Sequence, residues 1–131
     1  MVTGIKSKFF GCYWQSMFIT GMTLYEKFDK NNKDHVKKRR DFQRFYGSFK
    51  NVISCKYCRE YTKNVLEKQF PLDFSGRVAL MKSLYIWKDQ INKKLIAQGC
   101  DFTQPSPPFK EILAKYDKLR ASCNKKIGKC V

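Results

Sequence analysis

Apolar residues recur at helical spacing along nearly the whole chain, and no segment alternates apolar with polar residues for long enough to form a half-buried strand. That feature restricts the fold class to all-α. The 131 residues, 43% hydrophobic and 15% aromatic, suffice for one core, so a single domain over residues 1–131 is expected. The longest apolar stretches are a few residues, far short of a membrane span, and the opening MVTGIKSKF lacks the apolar run of a secretory leader. A soluble, cytoplasmic protein is the expectation.

The spacing predicts five helices with mostly short connections, a small four/five-helix bundle. The first carries Phe10, Trp14, Met17, Phe18, Leu24, Tyr25 and Phe28 on its apolar side and ends near Asp29, with Gly21 a weak point or a place of close packing. A second runs from about Asp34 to Val52, with Phe42, Phe45, Phe49 and Val52 toward the core. Ser54 is the expected N-cap of a third, which puts Cys55 and Cys58 in its first turn and carries Tyr61, Val65 and Leu66 before Pro71 stops it. Asp73 or Ser75 caps a fourth, with a stripe of Leu80, Leu84, Trp87, Ile91 and Leu95; a fifth uses Phe109, Ile112, Leu113, Tyr116 and Leu119.

Lysine and arginine number 27 against 11 acidic residues, a formal charge of +16 that favours polyanions, an anionic cofactor or an acidic partner. The lysines are scattered over every segment, as on solvated helix faces, and only KKRR at 37–40 forms a run.

Six cysteines without a secretory leader point to metal ligands or working thiols more than to structural staples. The stretch VISCKYCREY at 52–61 holds the one close pair, Cys55 and Cys58. A structural zinc site needs four ligands, usually from two close pairs, and the only histidine, His35, reads as a solvated turn residue, so no metal is expected. A redox dithiol fits better. Cysteines in the first turn of a helix face unpaired N–H groups and the positive end of the helix dipole, which favours thiolate, and Lys56 and Arg59 add positive charge beside them. Two intervening residues allow the pair to close and reopen by exchange. A thioredoxin fold is disfavoured by the absence of strands.

Trp14 in FFGCYWQSMF, the CKYC opening a helix, PLDFSGRVALMKSLYIWKDQINKKL and the ending FKEILAKYDKLRASC together resemble, in order and spacing, the Erv/ALR family of FAD-linked sulfhydryl oxidases. The likeness covers roughly residues 9–123 and is strongest to versions encoded by large DNA viruses. It implies a helical bundle around the isoalloxazine of FAD, with Cys55 exchanging with a dithiol protein substrate, such as a thioredoxin-like protein, and Cys58 as the flavin-proximal thiolate. Oxygen would be the final acceptor and hydrogen peroxide the product. It further implies a homodimer, in the host cytoplasm or the virion if the source is viral.

In the family the fourth helix carries HNxVN, then a basic pair and a leucine. The matching stretch here keeps Asn92 and Leu95, with Lys88 for the histidine, Asp89 for the first asparagine and Lys93 and Lys94 as the pair. The first helix keeps Trp14 of WxxLH but has Phe18 for the histidine, and Tyr61 stands three residues after the CxxC, where a histidine is common. The resemblance thus assigns Trp14, Phe18, Tyr61, Lys88, Asn92, Lys93, Lys94 and Tyr116 to FAD. It also implies a Cys100–Cys123 disulfide, leaving Cys12 and Cys130 either to pair with each other or to stay reduced; a Cys123–Cys130 bridge is the alternative. Two rival readings are a basic helical protein that binds nucleic acid through the 37–40 run, and a redox-silent relative without flavin. Nucleic acid is the less favoured partner, because a phosphate binder does not need a CxxC at a helix start beside aromatic helices.

Overall fold

The computed structural model describes residues 11–53, 56–100, 103–121, 123–124 and 128–130, and it is mostly helical. The helices are α1 (Gly11–Gly21), α2 (Lys33–Gly47), α3 (Phe49–Val52), α4 (Lys56–Tyr61), α5 (Glu67–Gln69), α6 (Arg77–Ala97) and α7 (Phe109–Asp117), with a π-helical turn (Thr62–Leu66) joining α4 to α5. A two-residue antiparallel pair, β1 (Cys123–Asn124) with β2 (Lys129–Cys130), is the only strand pairing among the described residues. None of the described helices is long and apolar enough to cross a membrane.

On α1, Trp14, Met17, Phe18 and Gly21 are buried at helical spacing. Close packing explains Gly21: a Cβ there would lie 3.1 Å from Met81 Sδ and 3.3 Å from Leu84 Cδ1, both on α6. The helix ends at this glycine, not near Asp29. Leu24 and Tyr25 are buried as expected, but from an irregular segment. Lys38 Nζ donates to Thr23 O at 2.8 Å and ties the end of the turn to α2.

The N-cap of α2 is Asn32, whose Oδ1 accepts from the N–H groups of Asp34 and His35. His35 is a structural residue rather than a solvated one: Nδ1 accepts from Asp29 N at 3.1 Å, and the ring stacks on Tyr25 at 4.7 Å. The expected second helix breaks at Ser48, and its buried face is Tyr46, Phe49 and Ile53. Phe42 packs partly against the core, whereas Phe45 and Val52 are 49% and 65% exposed, a correction to the expected stripe. Tyr46 can enter the core because its hydroxyl donates to Met17 O at 2.6 Å, and burial raises its phenol pKa well above the ordinary value.

Ser54, the expected cap of the CxxC helix, lies outside the described residues. The π-helical turn follows directly on α4, and the buried Thr62 hydroxyl donates to Cys58 O at 2.7 Å. On α6 the expected stripe holds, with Leu80, Leu84 and Trp87 buried beside Met81, and Ile91 and Leu95 partly so. Its cap differs: Gly76 occupies the N-cap, and Asp73 Oδ1 accepts from Ser75 N in a local turn. At the other end Gly99, with φ of 80°, lets Gly99 N reach Ile96 O and Cys100 N reach Leu95 O, the two bonds of a Schellman cap. On α7 only Tyr116 is buried; Leu119 lies past the helix and is 60% exposed, a second correction.

A candidate cofactor cavity between the first, sixth and seventh helices

Packing of α1 and α7 on α6 leaves a cavity of about 200 Å³. Each helix supplies residues one turn apart or adjacent: Trp14 and Phe18 from α1, Lys88 and Asn92 from α6, Tyr116 and Lys115 from α7. The rings are fixed by their neighbours. Phe18 stacks on Tyr116 at 5.2 Å and 22°, and Trp14 meets Phe49 edge-on at 5.7 Å.

The polar side of the cavity is a short chain of hydrogen bonds. Lys88 Nζ donates to Asn92 Oδ1 at 3.0 Å, and Asn92 Nδ2 donates to Ser106 Oγ at 2.9 Å. Lys88 Nζ also stands 5.5 Å from the centre of the Trp14 ring. Burial holds the Lys88 amine below the ordinary lysine range, since no described carboxylate lies within ion-pair distance to offset the lost hydration. Burial likewise pushes the Tyr116 phenol up. Among the described residues the lining contains no acidic one. A half-buried cation without a counter-charge, beside aromatic faces, is the chemistry of a site for a planar anionic group.

Of the residues expected to hold FAD, the structure brings Trp14, Phe18, Lys88, Asn92 and Tyr116 to this cavity. The others lie elsewhere. Lys94 Nζ sits 4.0 Å over the Tyr61 ring, linking α6 to α4, and Lys93 is an exposed partner of Asp89 at 3.0 Å. Cys58 is half-buried on α4, packed against the core, and is not among the lining residues. Cys55 lies outside the described residues. Arg59 Nη1 donates to Ile53 O at 2.7 Å, which keeps a positive charge at the start of the CxxC segment.

Sequence reasoning missed Tyr85, Ser106 and Lys115, which also line the cavity. Tyr85 carried a usable signal, lying on the same helical face as Lys88 and Asn92. Ser106 belongs to a proline-rich loop and carried none.

The Cys100–Cys123 disulfide implied by the family resemblance is not formed. Cys100 is a thiol whose Sγ lies 3.1 Å from Thr103 Oγ1, held beside α6 by the Schellman cap, while backbone pairing sets Cys123 opposite Cys130. Among the described residues no group of three His, Cys, Asp or Glu could hold a metal.

The residues present fit FAD in their chemistry: aromatic faces for a ring system, and the Lys88 amine for a phosphate or other oxyanion. The enclosed volume is that of a ring fragment rather than a whole dinucleotide, since about 150 Å³ already holds benzene and drug-sized sites run from roughly 300 Å³ upward. No family model and no curated protein matches the chain.

Proposed function

We propose that this chain is an FAD-linked thiol oxidase of the Erv/ALR type, making disulfides in protein substrates with oxygen as acceptor. The observation that carries the reading is convergence. Five of the eight residues that the family resemblance assigns to FAD, from three helices, line one cavity whose chemistry suits a planar anionic group.

The protein's part of the chemistry is thiol exchange. In the oxidised dithiol, a substrate thiolate attacks Cys55 Sγ; the Cys55–Cys58 bond breaks and Cys58 leaves as a thiolate with the electron pair. A second substrate thiolate then attacks the mixed disulfide, forming the substrate's disulfide and releasing Cys55. Two electrons and two protons have left the substrate. FAD, when bound, supplies the relay of that pair to oxygen, with hydrogen peroxide as product. Arg59 keeps a cation at the head of the segment, which favours thiolate, and the Thr62 hydroxyl fixes the backbone of Cys58. Lys88, oriented by Asn92 and Ser106, would hold an oxyanion of the cofactor.

The rival reading as a nucleic-acid binder draws little support from the basic run. Lys37 is paired with Asp41 at 2.6 Å and Lys38 donates to Thr23 O, so two of its four cations are engaged by the protein's own oxygens.

The test is the purified protein itself. It should be yellow, release FAD on denaturation and consume oxygen with a dithiol substrate, and Cys58→Ser should abolish that uptake while retaining colour. A colourless protein that also fails to take up added FAD ends the oxidase reading.

A further inference from the structure

A second hollow, of about 720 Å³, shares no residue with the cavity around Trp14 and Lys88. It lies between the loop after α1, the middle of α2 and the segment preceding α6. Phe28, Leu72 and Phe74 give it apolar walls, and Lys27, Arg39 and Gln43 supply donors.

Arg39 is the unusual member. Its guanidinium lies 4.0 Å from the centre of the Phe28 ring, so one face is covered. No described carboxylate stands within ion-pair distance of it, and no hydrogen bond within the described residues uses its N–H groups. A stacked guanidinium with its edge unspent presents the fork that takes a carboxylate or phosphate in two parallel hydrogen bonds. The one acid among the described lining residues, Asp73, has Oδ1 engaged by Ser75 N.

The walls are held in place before any ligand arrives. Phe28 N donates to Ser75 O at 2.8 Å, Arg77 N to Tyr25 O at 2.9 Å, and the Tyr25 hydroxyl to Phe74 O. Asp73 N donates to Ser83 Oγ at 3.1 Å, which fastens the same segment to α6. A preformed cleft loses little on binding, and its volume lies in the usual range for small-molecule sites.

We propose that this cleft binds a small organic anion, its carboxylate or phosphate on the Arg39 fork beside Lys27 and its apolar body against Phe28, Leu72 and Phe74. The ligand class is an aryl or similarly compact apolar group bearing one oxyanion head.

The experiment is an NMR titration of the full chain with phenyl phosphate, benzoate, inorganic phosphate and benzyl alcohol. Saturable shifts at Phe28, Arg39, Leu72 and Phe74 are expected with phenyl phosphate or benzoate, and the tighter of the two identifies the head group. Inorganic phosphate and benzyl alcohol, each lacking one half of the ligand, should bind more weakly. Arg39→Gln should weaken binding roughly tenfold or more, as expected for a lost charge-assisted fork. Arg39→Lys keeps the charge without the fork, should fall between the two, and serves if Arg39→Gln lowers the melting temperature. The proposal is overturned if neither aryl anion saturates, if shifts spread over lysines on every helix as for bulk charge, or if both variants bind like the wild type.

Discussion

Replacing Lys88 by methionine separates a residue kept for binding from one kept for stability. Methionine retains the apolar stem and removes the amine, so in the ligand-free protein two small effects oppose each other. Asn92 Oδ1 loses its hydrogen bond from Nζ, at a cost of about 0.5–1.5 kcal/mol. A half-buried cation with no carboxylate partner disappears, which returns free energy of similar size. The net change should lie within about 1 kcal/mol, or roughly 4 °C in Tm, readable by thermal unfolding. The pH dependence carries a sign. Because burial lowers the Lys88 pKa on folding, the unfolded chain binds more protons between the depressed value and the ordinary one, so wild-type stability rises with pH through that window. In Lys88→Met this increment should vanish. Affinity for FAD, followed by quenching of flavin fluorescence, should fall roughly 10- to 150-fold, the worth of a hydrogen bond to a charged group. Unchanged FAD affinity, or a loss of more than about 3 kcal/mol of stability, would refute the assignment of Lys88 to an anion and make it a structural residue.

Gly76→Ala should cost about 1–3 kcal/mol in urea unfolding, because the new Cβ would stand 2.4 Å from Glu26 O and force apart the two loops that Arg77 N and Phe28 N hold together. Tyr46→Phe removes the buried hydroxyl bond to Met17 O and should cost about 1 kcal/mol, whereas Tyr46→Ala, which empties a core site, should cost about 3–5 kcal/mol. Neutralising residues 37–40 together should leave thiol-dependent oxygen uptake intact and DNA binding weak; tight DNA binding with a steep salt dependence, and no oxygen uptake, would favour the nucleic-acid reading.

The helical class was legible because burial on a helix leaves a period that composition cannot counterfeit. Helix ends were not. Leu24 and Tyr25 continue the apolar pattern of α1 past Gly21, yet they reach the core from a loop, so periodicity recorded burial and not backbone conformation. The same limit misplaced the buried face of α2 and α3. By hydrophobicity Phe45 outranks Tyr46, but Tyr46 is fully buried because Met17 O, almost thirty residues away in sequence, accepts from its hydroxyl. A polar handle hides a core residue from any one-dimensional scale until its partner is known.

The cavity was legible where its residues sit on helices and illegible where they sit on loops. Trp14 with Phe18, and Lys88 with Asn92, are each four residues apart, so finding one member on the inward face fixes the direction of the other. Lys93 and Lys94 follow Asn92 directly and are turned by the same geometry toward Asp89 and Tyr61. An expected basic pair thus splits from the cavity by a rotation of about 100° per residue. Ser106 obeys no such rule. It enters only because the proline-rich loop folds back over α6, where Tyr85 donates to Pro107 O and Asn92 donates to Ser106 Oγ. Those two bonds turn a loop into a wall, and the second orients the amide whose oxygen receives the Lys88 amine. Ser106→Ala should therefore weaken FAD binding less than Lys88→Met while leaving the melting temperature nearly unchanged, because it frees the Asn92 amide without removing the cation.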